Sequence, residues 1–298
     1  MIDTGKPKLL TMLGNYPNTK ALKSGEVHAD FADLDFVEVK VANNQFKRVV
    51  RDAAYDVAEL AIVTYLQAKA YGKPYVLLPA VLVSRGQHHT IAYNAERGAL
   101  KPADLDGRRV GIRAYTVTTA TWVRGILASD YGVDLGSIEW ITFEDPHVAE
   151  YRDPPAARRA PAGKELAQML LDGEIDAAVV GDKLPDPRLE HLIVDPEAAA
   201  RAWAERHGGV PINHMVVVRE ALSRERPDVV REVFRKLHAS KDAAGLPDAG
   251  ALDPYRFGLE ACRPILEVII DFCWEQQLLP RRLAVDDLFD DTTRTLAP

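Results

Sequence analysis

Two histidines, His89 in SRGQHHTIAYN (84–94) and His214 in PINHMVVVRE (211–220), stand in segments that flank one compact α/β block. Imidazole changes its charge near neutral pH, so a histidine pair can act as acid and base in a proton-transfer reaction. On an extended strand His88 and His89 point to opposite faces, which groups His89 with Ile91 and Tyr93. His89 also has the plainer reading of a hydrogen-bonded histidine in a hinge strand. His214 is surrounded by Ile212, Met215 and Val216, and a polar group in such an apolar run needs a partner or a purpose.

Groups suited to an anion lie nearby in the chain. Thr118 and Thr119 fall at an expected helix start, where unpaired amides and the helix dipole favour a carboxylate. Either residue could instead be a simple N-cap. Arg124 follows inside that helix and Arg85 lies beside the first histidine segment. A guanidinium grips a carboxylate through two parallel hydrogen bonds, or forms a salt bridge. Glu59 reads as a proton carrier, or as the third residue of a capping box begun by Asp56. Tyr16 and Asn18 occupy the turn after the first expected strand, where α/β sheets meet ligands, or are ordinary turn residues. Tyr115 is expected to line the same cleft. A metal site would have to use Glu144, Asp145, His147 and Glu150, which lack a recognised ligand spacing. No GxGxxG, Walker loop, GxSxG or HExxH motif occurs, so neither metal nor organic cofactor is expected.

The elements that must position these groups alternate between strand and helix. KLLTML (8–13), DFVEVKV (35–41) and YVLLPAVLV (75–83) read as strands, and AELAIVTYLQAKAYG (58–72) as a helix ended by Gly72. RVGIR, a helix from Thr118 or Thr119, and IEWITF (138–143) follow. Residues 144–163, rich in Pro, Arg and Ala, read as a long loop or lid, and 163–181 as helix, tight turn and buried strand. Helices are expected over 227–245 and 264–280. This alternation implies mostly parallel sheets with helices on both faces. The inferred organisation is a discontinuous first lobe (1–92 and 212–298) around an inserted second lobe (93–211). Hinge strands near 88–94 and 211–218 are expected side by side, with His89 and His214 meeting in the cleft.

The bulk composition narrows the function class. At 298 residues, 47% hydrophobic and 27% charged, the chain suits a packed globular protein. The net charge is −7 and the basic pairs Arg108-Arg109, Arg158-Arg159 and Arg281-Arg282 are scattered, which argues against nucleic acid as a partner. No stretch approaches the ~20 apolar residues of a membrane span. Gly14, Asn15 and Pro17 interrupt the N-terminal apolar run, so a cytoplasmic protein without an export signal is expected. Cys262 and Cys273 form no CxxC pair and read as buried, inert thiols. Composition leaves a homo-oligomer open.

Longer strings add a resemblance. LDGRRVGI, GEIDAAVVG and a return strand before PDVV resemble type II periplasmic binding proteins. GNYPNTKAL (14–22), YDVAEL (55–60), the segment through Ser84 and Arg85 to His89, GIRAYTVTTATWVRGIL (111–127), INHMVVVRE and YRFGLEACR…EQQL together resemble the 4,5-dihydroxyphthalate decarboxylase family, in order through nearly the whole chain. The resemblance implies a two-lobed α/β fold of the type II periplasmic-binding-protein kind. It also implies cofactor-independent decarboxylation of a hydroxylated aromatic carboxylate, with 4,5-dihydroxyphthalate giving 3,4-dihydroxybenzoate and carbon dioxide. His89 and His214 would then be the acid–base pair and Glu59 a reserve proton carrier or orienter. Arg85, Arg124, Thr118 and Thr119 would hold the carboxylate that stays. Two positions depart from the pattern, Ala114 in place of an acidic residue and Cys262 in place of Asn, and either could retune the substrate. The same scaffold also serves solute-binding proteins for aromatic or dicarboxylate ligands and other lyases, which stand as the alternatives.

Overall fold

The computed structural model describes residues 6–247 and 252–298; the first five residues, on which part of the export-signal reading falls, lie outside them. The chain divides into two compact units. Unit 1 comprises Met1–Arg85, Ile212–Ile270 and Leu279–Pro298, and unit 2 comprises Gly86–Pro211 and Asp271–Leu278.

Unit 1 opens with β1 (Lys8–Met12), α1 (Pro17–Lys23), β2 (Asp33–Phe36), α2 (Phe46–Asp52), β3 (Val57–Ala61), α3 (Ile62–Ala70) and β4 (Tyr75–Ser84). Unit 2 follows with β5 (Ile91–Asn94), β6 (Arg109–Ile112), α4 (Thr118–Tyr131), β7 (Glu139–Thr142) and β8 (Ala157–Arg159). It continues through α5 (Leu166–Asp172), β9 (Ala177–Val179), β10 (Leu189–His191) and α6 (Pro196–Arg206). The chain re-enters unit 1 with β11 (Ile212–Arg219), α7 (Glu220–Glu225), α8 (Pro227–Ala243) and α9 (Leu259–Glu275). The end of α9, from Asp271, belongs to unit 2.

Each unit is built on one sheet. The order is β2-β1-β3-β11-β4 in unit 1 and β10-β5-β9-β6-β7-β8 in unit 2. Pairings are parallel except those made by β11 in the first sheet and β5 in the second. The interior strands β3, β5 and β9 are buried on both faces. Val57, Val76, Leu78, Val216 and Val218 pack with Val229, Val233 and Phe234 of α8 in the core of unit 1. In unit 2, Trp122 of α4 meets Trp203 and Phe272 edge-on. Gly125, one turn along α4, leaves the space that the Phe272 ring fills. No helix among the described residues is long and apolar enough to cross a membrane.

Four expectations are corrected. The helix read over 58–72 starts only at Ile62, because Val57–Ala61 is a fully buried strand. A strand buried on both faces is a continuous apolar run, and periodicity does not separate it from a buried helix. The strand expected at 35–41 stops at Phe36, since its one partner, β1, ends at Met12. The 144–163 segment is not all loop, for β8 pairs with β7 inside it. Finally, 88–94 and 211–218 do not pair with each other. β5 bonds to β10 and β9, β11 bonds to β3 and β4, and His88–Thr90 form one 3₁₀ turn rather than strand.

Candidate active site

Residue Glu59 lies in the middle of β3, flanked in the sheet by β1 and β11. On β11, Val216 is directly opposite Glu59 and His214 is opposite Ala61. Paired residues and their i±2 neighbours share one face of a sheet, so Glu59 and His214 are diagonal neighbours on that face. His214 Nδ1 is 2.5 Å from Glu59 Oε1. The Glu59 side chain is 0% exposed and that of His214 is 15% exposed, so a buried carboxylate holds an imidazole that reaches the surface.

A buried carboxylate needs hydrogen bonds to offset its lost hydration. The turn after β1 supplies them. The Gly14 backbone N–H donates to Oε2 at 2.7 Å, and the Tyr16 hydroxyl donates to Oε1 at 2.7 Å. That turn is fixed in its own right: the Tyr16 N–H donates to Thr19 Oγ1 at 3.0 Å, and the Thr19 hydroxyl donates to the Gly14 carbonyl at 2.8 Å. Burial and the negative charge of Glu59 both push the Tyr16 phenol far above its ordinary value, so it stays protonated. As a carboxylate, Glu59 can only accept, which requires the proton on His214 Nδ1 and leaves Nε2 as the working nitrogen. The Phe46 ring meets the imidazole edge-on at 5.2 Å. The capping-box reading of Glu59 is therefore overturned, because the residue is on a strand. Asp56 instead accepts the Leu10 N–H at 2.9 Å.

Unit 2 carries a second histidine–carboxylate contact. His89 Nε2 is 3.3 Å from Asp182 Oδ1, with side-chain exposures of 29% and 64%. The ring of His191 stands edge-on to His89, centroid to centroid 6.4 Å. His88, its neighbour in the 3₁₀ turn, is buried with neither ring nitrogen hydrogen-bonded, and burial pushes its pKa down to about 4.

Arg124 is wholly buried in unit 2. Its Nε donates to Gln276 Oε1 at 2.7 Å and its Nη2 to the Tyr115 carbonyl at 2.7 Å, while the guanidinium lies 3.9 Å from the centre of the Tyr115 ring. Among the described residues no carboxylate is within ion-pair distance of it, and Nη1 has no hydrogen-bond partner. The two-pronged grip expected from sequence is thus unavailable from the Nε–Nη2 edge; Nη1 is the donor that remains. Thr118 and Thr119 open α4, but the N-cap is Val117, so neither threonine is the cap. Arg85 is half-buried at the end of the first segment of unit 1, and burial lowers its pKa.

Asn18 is in the first turn of α1 rather than in a loop. It is buried, and its Nδ2 donates to the Leu82 carbonyl at 3.1 Å, tying α1 to β4. Its Nδ2 is therefore committed within the fold, while Oδ1 has no hydrogen-bond partner. Both cysteines are buried and free, and burial raises the Cys262 thiol to about 12. The groups that sequence reasoning missed are the Gly14 amide, Asp182 and Gln276. They make their contacts through distant segments, and only the glycine is marked by its type: a Cβ there would collide with the Tyr16 ring, about 2.5 Å away.

No family model matches the chain. A curated 4,5-dihydroxyphthalate decarboxylase of Comamonas testosteroni is 34% identical over 254 residues, covering 80% of this chain and 76% of that protein. Another, of Pseudomonas putida, is 33% identical over 213 residues, covering 66% of this chain and 81% of that one. Among solved structures, the alkanesulfonate-binding protein SsuA of Xanthomonas axonopodis pv. citri superposes with a TM-score of 0.57 at 13% identity, covering 96% of this chain and 99% of that one. The periplasmic aliphatic sulphonate binding protein SsuA of Escherichia coli gives 0.58 at 13% identity, covering 96% and 98%. The desulfurization enzyme DSZB gives 0.58 at 16%, covering 96% and 97%. These structures share the fold, the two-lobed α/β architecture of periplasmic binding proteins. The two sequence relatives settle the family: the chain belongs to the 4,5-dihydroxyphthalate decarboxylases, a family of carboxy-lyases.

Proposed function

We propose that the protein decarboxylates a hydroxylated aromatic dicarboxylate without a cofactor, converting 4,5-dihydroxyphthalate to 3,4-dihydroxybenzoate and carbon dioxide. The observation that carries this reading is the His214–Glu59 couple, a partly exposed imidazole fixed by a fully buried carboxylate.

Direct loss of carbon dioxide from the ring would leave an aryl anion, so the reaction needs an electron sink. The hydroxyl para to the departing carboxylate supplies one. A base takes the phenolic proton as an acid delivers a proton to the carboxylate-bearing carbon, giving a keto intermediate. The ring–carboxylate bond then breaks, carbon dioxide departs, and its bonding electrons return through the ring to the oxygen, which regains a proton. Overall one proton replaces one carboxyl group. Two proton-transfer groups are required, each supplying about 10²–10⁴-fold. His214 Nε2, with Nδ1 held by Glu59, is proposed as one of them; His89, against Asp182, is a second imidazole suited to the same work. The carboxylate that stays is assigned, within unit 2, to Arg124, whose Nη1 has no hydrogen-bond partner, and to the amides at Thr118 and Thr119, where a helix start favours an anion. Tyr115, under the Arg124 guanidinium, fixes that cation's plane.

The test is carbon dioxide release from purified protein across a panel of hydroxybenzoates and dihydroxyphthalates. Release confined to acids with a hydroxyl para to a carboxylate supports the sink. Tight binding without turnover by any member would favour a solute-binding protein instead.

A further inference from the structure

We infer that Tyr16 is a positioning residue for His214, acting through Glu59, rather than a ligand of the substrate. The inference deepens the decarboxylase reading and rests on it only where turnover is measured.

Three observations carry it. First, Glu59 Oε1 is shared: it accepts the Tyr16 hydroxyl at 2.7 Å and faces His214 Nδ1 at 2.5 Å. A donor on an oxygen draws charge from it and weakens the bond it offers to a second donor, so the Tyr16 O–H moderates how strongly Glu59 holds the imidazole N–H. Second, the hydroxyl is committed. Its hydrogen points into a carboxylate that is 0% exposed, so that proton is not available to a substrate oxygen. Third, the ring is placed by a specific absence. Gly14 has no side chain, and a Cβ there would lie about 2.5 Å from Tyr16 Cε2 and Cζ, so the glycine both donates to Oε2 and clears the seat of the ring. Glycine is required here for close approach, not for its backbone angles. Around His214 the flanking groups are apolar, with Phe46 from α2, Ala61 from β3 and Val83 from β4; its titratable contacts here are Glu59 and, through it, Tyr16.

The test uses the full chain with Tyr16→Phe and, separately, Gly14→Ala, which displaces the ring while keeping the phenol. Two readouts are taken: kcat and KM over a range of pH, and the proton NMR signal of His214 Nδ1–H with folding checked by circular dichroism. Removing the shared donor strengthens the remaining bond. The expected result is a downfield move of the Nδ1–H signal, an alkaline shift of the kcat profile by about half to one pH unit, and a loss of about tenfold in kcat with KM within about twofold. A rise in KM at unchanged kcat would mean that Tyr16 touches substrate and overturns the inference, as would an unmoved Nδ1–H signal in both variants. If the wild-type protein turns over no substrate, the decarboxylase reading fails, and the NMR arm still decides the role of Tyr16.

Discussion

Glu59 and His214 lie diagonally across the β3–β11 ladder, with Nδ1 and Oε1 2.5 Å apart. The contact joins β3, the fifth element of the strand–helix series, to the strand on which the chain re-enters unit 1. Neither residue is on a loop, so the pair inherits the rigidity of a buried central sheet. That rigidity is what a proton-transfer group needs to keep one tautomer and one direction.

Substituting Glu59→Gln tests the orienting role. The amide nitrogen would face Nδ1 and demand the opposite tautomer, placing the proton on Nε2. A loss of about 10²–10⁴-fold in kcat is expected, with KM within about threefold. A rise in KM alone would show that Glu59 serves binding.

The second couple is looser, since Asp182 is mostly exposed and 3.3 Å from His89. His89→Ala should therefore cost about 10²-fold or more in kcat, and Asp182→Asn no more than about tenfold. Equal losses for the two variants would mean that Asp182 does more than orient the ring.

His88 gives a pH signature independent of activity. Its folded-state pKa is depressed to about 4, against about 6.5 when unfolded. The unfolded chain therefore binds the extra proton first, and stability conferred by the neutral form is present above about 6.5 and lost as pH falls from there toward about 4. Asp130 opposes the shift and Arg206 adds to it. Since neither ring nitrogen has a partner, His88→Leu should leave stability at pH 7 nearly unchanged and flatten the decline of Tm between pH 6.5 and 4. A large loss at pH 7 would reveal hydrogen bonds that the buried ring depends on.

Gly125→Ala probes the packing of α4 against the end of α9. The added methyl meets the Phe272 ring, and the cost should be about 1–3 kcal/mol, a fall in Tm of several degrees in thermal unfolding. An unchanged or raised Tm would show that Phe272 moves aside freely, for alanine otherwise favours a helix.

Much of the architecture is legible in the sequence because buried strands and amphipathic helices carry distinct periods: β1, β4, β6, α4, α8 and β11 fall where apolar patterning puts them. β3 was hidden, since VAELA runs directly into the apolar helix IVTYLQAKA, and the capping-box reading of Glu59 followed from that merger. β8 was hidden by its Arg-rich edge position, where pairing with β7 rather than apolar content makes the strand. The types of the site residues could be read, but their contacts could not. Nothing local marks that Glu59 takes the Tyr16 hydroxyl and the Gly14 amide, or that Gln276 takes Arg124, because those contacts join segments far apart in the chain.

The central claim is that His214 transfers a proton in an aromatic decarboxylation. The direct measurement is carbon dioxide release and the ultraviolet change on mixing 4,5-dihydroxyphthalate with wild-type protein and with His214→Ala. The account predicts turnover to 3,4-dihydroxybenzoate by the wild type and a loss of at least about 10²-fold in kcat for the variant, with its fold intact. Equal turnover by the two proteins would contradict the role of His214, and no turnover by the wild type would contradict the proposed substrate.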